Sequence, residues 1–178
     1  MSVHTPTTFD LSAIPLKLGV EKTVQIQLYL PPLHLAGQDY NFVPDQVMAR
    51  LSVNYVGQGY AVSLGFECRL EGICWRCLEK ANLDMSIEVD DFFETGLPPV
   101  EDIGEEGEAS PWYAENGVLT VSAWARDAVA EKLPLKILCQ PGCRGLCAQC
   151  GVNLNLVECG CKQPVDFRWD KLREWKAD

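Results

Sequence analysis

The spacing of its cysteines constrains this chain more than any other feature. Eight of the nine cysteines stand in close pairs: Cys74-x2-Cys77 in "CWRC", Cys139-x3-Cys143 in "CQPGC", Cys147-x2-Cys150 in "CAQC" and Cys159-x-Cys161 in "CGC". Three pairs crowd one C-terminal stretch, and the fourth stands about sixty residues upstream. With 178 residues, 47% of them hydrophobic, the chain can build a core without disulfides. Its first residues, "MSVHTPTTFDLSAIPL", show no basic-then-apolar leader. No apolar run approaches the roughly 20 residues of a membrane span. A cytoplasmic protein with no membrane partner is therefore expected. In that reducing compartment clustered thiols serve as metal ligands or redox groups more often than as disulfides.

Cys139, Cys143 and Cys147 are four residues apart and would share a helix face, but Pro141, Gly142 and Gly145 interrupt the segment. A looping backbone with glycine beside cysteine suits a metal knuckle, because the chain must turn tightly and offer N–H groups to sulfur. Cys147 and Cys150, joined to Cys159 and Cys161 by the short "GVNLNLVE" arm, can supply the four thiolates of a structural zinc site. Cys139 and Cys143 then need two more ligands, and Cys74 and Cys77, between two expected strands, can provide them. Such a second site would staple the β region to the C-terminal segment. The remaining thiol, Cys68 in "FECRL", reads as a small buried hydrophobe. On spacing alone, crossed ligand sets and a single zinc drawing on other combinations remain open.

Other chemistries find less support. "CWRC" resembles a redox dithiol, but that chemistry needs the thiolate at a helix N-terminus in a βαβ setting, whereas a strand pattern follows here. A closed four-cysteine site leaves no coordination position for a substrate. His4 and His34 lie in a tail and a Pro-flanked loop, and no phosphate loop or nucleophile elbow is present. Neither enzymatic activity nor a small-molecule substrate is expected.

Around the cysteines, the hydrophobic period switches from two to 3.6. In "TVQIQLYL", Val24, Ile26, Leu28 and Leu30 alternate with polar neighbours until Pro31 and Pro32 end the pattern. "ARLSVNYV" and "GYAVSLGFECRL" flank Gly57–Gly59 as a hairpin, and Leu83, Met85, Ile87 and Val89 mark one face of a further strand. Val121, Trp124, Ala128, Val129, Lys132 and Leu133 fall at helical spacing, with Ser122 as candidate N-cap and Pro134 as terminator. "DFRWDKLREWKAD" can form a short terminal helix. The expectation is an α+β protein: an antiparallel β domain over 1–95, an acidic flexible insert over 96–117, a helix packed on the sheet within 118–138, and a zinc-binding module over 139–178.

Charge is unevenly placed. Residues 1–110 carry 6 Lys+Arg against 17 Asp+Glu, and residues 111–178 carry 9 against 8. Nucleic-acid binders need a basic footprint, so any RNA contact is expected through a partner or from the C-terminal third: Arg144, Lys162, Arg168, Lys171 and Arg173, with Trp169 as a candidate stacking residue.

"CWRCLE" between strands, the acidic "DDFFE", a helix running into "LPLKILC", and "CRGLCAQCGVNLNLVECGC" followed by "DFRW" together resemble the YceD family, named for large ribosomal RNA subunit accumulation. The succession spans about residues 50–178. The family's usual Asp-Pro-Arg ending reads Asp166-Phe167-Arg168 here. The resemblance implies a non-enzymatic factor in ribosome biogenesis and rRNA processing. Its implied partners are precursor or mature large-subunit rRNA, ribosomal particles, or an assembly or processing protein. It also implies that Cys74, Cys77, Cys139, Cys143, Cys147, Cys150, Cys159 and Cys161 are the functional cysteines and that Cys68 is not.

Overall fold

The structure, a computed structural model, describes residues 5–13, 17–94, 113–115, 117–161 and 168. Its backbone is organised by one long strand, β6 (Gly59–Ile73), which the alternating apolar pattern extends without interruption. Val62, Leu64, Phe66, Cys68 and Leu70 are buried on one face, and Ser63, Glu67 and Arg69 are exposed on the other. β7 (Lys80–Glu94) takes one edge of β6 along its whole length, from Gly59↔Glu94 to Ile73↔Lys80. The opposite edge is shared. β5 (Gln46–Tyr55) pairs with Tyr60–Phe66, and β4 (Gln38–Phe42) pairs with Leu70 and Glu71. β2 (Glu21–Tyr29) flanks β5 and β3 (Leu33–Leu35) flanks β4, which completes a six-stranded antiparallel sheet.

The expected hairpin between β5 and β6 turns at Gly57, whose φ of 89° is the left-handed conformation glycine adopts without strain. The face of Leu83, Met85, Ile87 and Val89 in β7 points inward as its alternation implies. Over the buried face lies α1 (Val121–Lys132), whose Val121, Trp124, Ala128 and Val129 are buried. The Trp124 ring meets Phe93 of β7 edge-on, with centroids 5.7 Å apart and planes at 88°. This is the favoured arrangement for two ring quadrupoles. The helix ends at Lys132, and Leu133 before Pro134 is extended (ψ 126°), as the proline ring requires.

Two local readings are corrected. Ser122 does not cap α1. Thr120 occupies the N-cap position and makes no side-chain cap bond. Ser122 is instead buried, its Oγ accepting from the Thr7 N–H (2.8 Å) and donating to the Tyr29 carbonyl (2.7 Å). A serine near a helix start satisfies distant backbone here because the N-terminal segment passes beside it. That segment forms β1 (Thr8–Asp10), which with β9 (Val118–Thr120) and β8 (Ala114–Glu115) makes a small second sheet ordered β1-β9-β8. The described end of the acidic stretch is thus paired backbone, and Tyr113 is buried with its hydroxyl donating to Asp127 (2.8 Å). Residues 96–112 and 116 of that stretch, and the expected terminal helix over 166–178 apart from Arg168, lie outside the described residues.

Candidate metal centres

The first centre is built on the loop that closes the β6–β7 hairpin, residues 74–79. The Cys74 N–H donates to the Glu79 carbonyl (2.8 Å) and the Leu78 N–H to the Cys74 carbonyl (3.0 Å). Leu78 takes a left-handed φ of 62°, and the loop curls so that Cys77 returns toward Cys74. The second pair arrives from beyond α1. Ile137 is buried over Gly72 of β6, where an added Cβ would lie 2.8 Å from Ile137 Cδ1 and 2.9 Å from Tyr40 Cδ1. Glycine at 72 is therefore what admits Ile137. The Trp75 N–H donates to the Ile137 carbonyl (3.0 Å), which sets Cys139 and Cys143 against the hairpin. Sγ of Cys74 lies 3.7 Å from that of Cys143, and Sγ of Cys77 lies 3.5 Å from that of Cys139. All four sulfurs fall within 4.8 Å of one another.

The second centre is local. The Cys147 N–H donates to the Val152 carbonyl and the Gly151 N–H to the Cys147 carbonyl, both at 2.8 Å, and Gly151 has a φ of 73°. The arm then returns Cys159 and Cys161, and these four sulfurs also lie within 4.8 Å of one another. The two centres differ in access. In the first, Cys74, Cys77 and Cys143 are buried and Cys139 is exposed, whereas in the second none is buried, with Cys150 and Cys161 exposed and Cys147 and Cys159 half-buried.

The second knuckle is docked on the first through backbone. The Leu146 N–H donates to the Arg76 carbonyl (3.0 Å), and the Arg76 Nη1 donates to the Cys143 carbonyl (2.8 Å). Gly145 makes this approach possible, with φ 75° and a Cβ position only 3.0 Å from the Arg76 oxygen. Asn155, in the arm of the second knuckle, reaches the first. Its Nδ2 donates to Cys143 Sγ (3.3 Å), and its Oδ1 accepts the Arg144 N–H (2.7 Å). Asn153 Oδ1 accepts from both the Asn155 amide group and the Asn155 backbone N–H, at 2.9 and 3.0 Å.

These sets of four sulfurs suit a tetrahedral cation. A metal–sulfur bond of about 2.3 Å implies sulfur–sulfur edges of about 3.8 Å, close to the separations found here, whereas a disulfide needs about 2.05 Å. All nine cysteines are free thiols. The proton affinities within each set are strongly divided. Burial opposes the Cys74 thiolate, but N–H groups of Cys139, Cys77 and Arg76 outweigh it and hold that thiol at about 6. Burial, together with Cys77 and the other two sulfurs, pushes Cys139 up to about 12. In the second set the N–H groups of Cys150 and Gln149 lower Cys147 to about 6, while Cys150 beside it pushes Cys161 up to about 12. In the first set Cys74 and Cys143 are shifted down while Cys139 and Cys77 are shifted up, and in the second Cys147 is shifted down while Cys159 and Cys161 are shifted up, so each set joins readily ionised thiols to thiols that a cation must deprotonate.

Cys68 stands apart from both sets, buried in β6, and burial followed by the Asp84 charge raises its thiol to about 11. Of the basic residues singled out for RNA, Arg144 is exposed beside the first centre, with Nη1 3.8 Å from Glu158. Arg168 is exposed, and Lys162, Trp169, Lys171 and Arg173 lie outside the described residues. His34 is exposed and bonded to Asp39 (2.6 Å). Sequence reasoning did not single out Gly72, Ile137, Asn153 or Asn155. The alternation "NLN" was the available signal for the asparagines.

Fold and sites together define a mainly antiparallel β protein that can hold metal at two four-thiol centres, one within the cysteine-rich C-terminal region and one shared between that region and the β6–β7 loop. Residues 62–176 match the family described as "Large ribosomal RNA subunit accumulation protein YceD", and the chain belongs to that family. Among curated proteins it is similar to uncharacterized proteins of Mycobacterium tuberculosis and Mycobacterium bovis, each 27% identical over 175 residues that cover 97% of this chain and 82% of the relative. An uncharacterized protein of Mycobacterium leprae is 24% identical over 174 residues, covering 97% and 78%. No solved structure matches the chain.

Proposed function

We propose that each four-thiol centre holds one structural zinc ion and that the protein is a non-enzymatic factor in the accumulation of large-subunit ribosomal RNA. The observation that carries the zinc assignment is the all-cysteine composition of both centres at tetrahedral spacing. Four soft thiolates select zinc over hard cations, and a closed set leaves no position for a reacting water or substrate. Bound metal would contribute on the order of 10 kcal/mol per site to folding and fix the C-terminal segment against the β6–β7 hairpin. The family description supports the rRNA role, with large-subunit rRNA, its precursors, or a particle or processing protein carrying them as the partner. No helix among the described residues is long and apolar enough to cross a membrane, which suits action in the cytoplasm.

Sedimentation tests this reading. The tagged protein is expected to travel with large-subunit precursors on a gradient, and its depletion to lower the ratio of large- to small-subunit rRNA. A protein that stays at the top of the gradient, with unchanged rRNA on depletion, contradicts it. If recovery with particles survives nuclease treatment, the protein acts through a protein contact instead of through RNA.

A further inference from the structure

The first centre does more than fasten two segments together, because it presents a large aromatic side chain that metal holding does not use. Trp75, between the two cysteines of the hairpin knuckle, keeps 45% of its surface exposed. Its backbone is pinned at the Ile137 carbonyl, and Lys136 places its Nζ 5.8 Å from the ring centroid. Leu78, in the same loop, is 66% exposed. An indole held out on a rigid turn beside a cation is an unusual use of the residue that most gains from burial.

The charge around it is equally distinctive. The segments that meet at this centre, 73–80 and 133–147, contain Arg76, Lys80, Lys136 and Arg144 against the single acid Glu79, a net of +3. The chain as a whole is −10, so everything else sums to −13. Of these cations Arg144 is offset by Glu158, 3.8 Å away, which leaves Arg76, Lys80 and Lys136 against Glu79. A basic spot on an acidic protein, with an exposed aromatic at its middle, has the makeup of a single-stranded nucleic-acid contact, in which cations track phosphates while a base stacks on the ring.

We propose that the hairpin knuckle is a contact site for single-stranded RNA, with Trp75 as the stacking platform and Lys80 and Lys136 as the phosphate-facing cations. This deepens the rRNA reading above and rests on it. The site differs from the C-terminal basic residues, since it lies on the β6–β7 loop and on the segment that follows α1. The metal would act indirectly, by holding Cys74 and Cys77 and so fixing the Trp75 backbone.

The test is fluorescence anisotropy of a labelled, unstructured 12-nucleotide RNA titrated with the metal-loaded full-length protein. Trp75→Ala is expected to weaken binding about tenfold or more, and Trp75→Phe to restore part of the loss. Lys136→Gln is expected to lower the salt dependence by close to one phosphate contact. Both Trp75 variants should keep wild-type metal content, which separates lost stacking from lost folding. Equal affinity for wild type and Trp75→Ala, or loss in Trp75→Ala that Trp75→Phe does not relieve, overturns the proposal. If wild type fails to bind the RNA yet still travels with large-subunit precursors, this site is wrong and the rRNA role stands. If it does neither, both fall. If Trp75→Ala abolishes nuclease-resistant capture of a protein without affecting RNA, the surface is a protein-docking site and the proposal fails.

Discussion

Asn155 offers a substitution whose two variants separate electrostatics from scaffolding. Its Nδ2 points at Cys143 Sγ (3.3 Å), while its Oδ1 accepts the Arg144 N–H (2.7 Å). Asn155→Asp keeps the acceptor and replaces the donor with a carboxylate oxygen of the same size. Two unit charges at 3.3 Å interact by about 5 kcal/mol at an effective dielectric near 20. Partial exposure and the neutralising cation reduce this, and a lost bond to a charged sulfur adds about 1.5–3 kcal/mol. The expected net effect is about 2–4 kcal/mol, or roughly 30- to 700-fold weaker metal binding at the first centre. Asn155→Ala loses donor and acceptor but adds no charge, so its cost is about 1–2 kcal/mol, near tenfold, as for other residues that orient metal ligands. The assay is competition between the protein and a chromophoric zinc chelator, with cobalt absorption reporting tetrahedral thiolate geometry. The reasoning is refuted if Asn155→Ala is the more damaging variant. It is also refuted if the aspartate variant binds like wild type.

Three further outcomes follow from the same geometry. Gly72→Ala drives a methyl to within 2.8 Å of Ile137 Cδ1, and overpacking of this kind costs about 1–3 kcal/mol, so thermal melts should show a Tm about 3–10 °C lower; an unchanged Tm would mean that Ile137 does not anchor the segment. Chelator challenge should release metal in two phases, the faster from the centre with exposed Cys150 and Cys161, and Cys159→Ser/Cys161→Ser should remove only that fast phase. Burial raises the Cys68 thiol from 9.0 to about 11, so folding holds its proton more tightly than the unfolded chain does. Its contribution, on the order of 2 kcal/mol, is complete below pH 9 and is lost as pH rises toward 11. Cys68→Ala should flatten that alkaline loss in denaturant melts, and alkylation of the metal-loaded protein at neutral pH should spare Cys68.

How far the sequence carried depends on the range of each interaction. Period-two stripes such as Leu83 to Val89 and the Gly57 turn are local, and both reappear in the sheet. Counting pairs suggests how the thiols divide, but what brings Cys139 and Cys143 to Cys74 and Cys77 is a long-range contact, Ile137 seated over Gly72, that the pair spacing does not contain. Ser122 misled because its position suits a cap, while its bonds go to Thr7 and Tyr29, over 90 residues away. The strands β1, β8 and β9 are three residues or fewer, too short to express any period. Asn155 acts on a sulfur belonging to another knuckle, a relation that spacing does not encode.

The account rests on eight thiols forming two centres, one of them spanning the chain. Metal stoichiometry tests this most directly, measured by mass spectrometry of the native protein purified under reducing conditions. Two zinc ions per chain are predicted for wild type, and one for Cys74→Ser/Cys77→Ser. Two zinc ions retained in that variant would confine the metal to the C-terminal stretch, and a metal-free wild type with freely titrating thiols would contradict the account altogether.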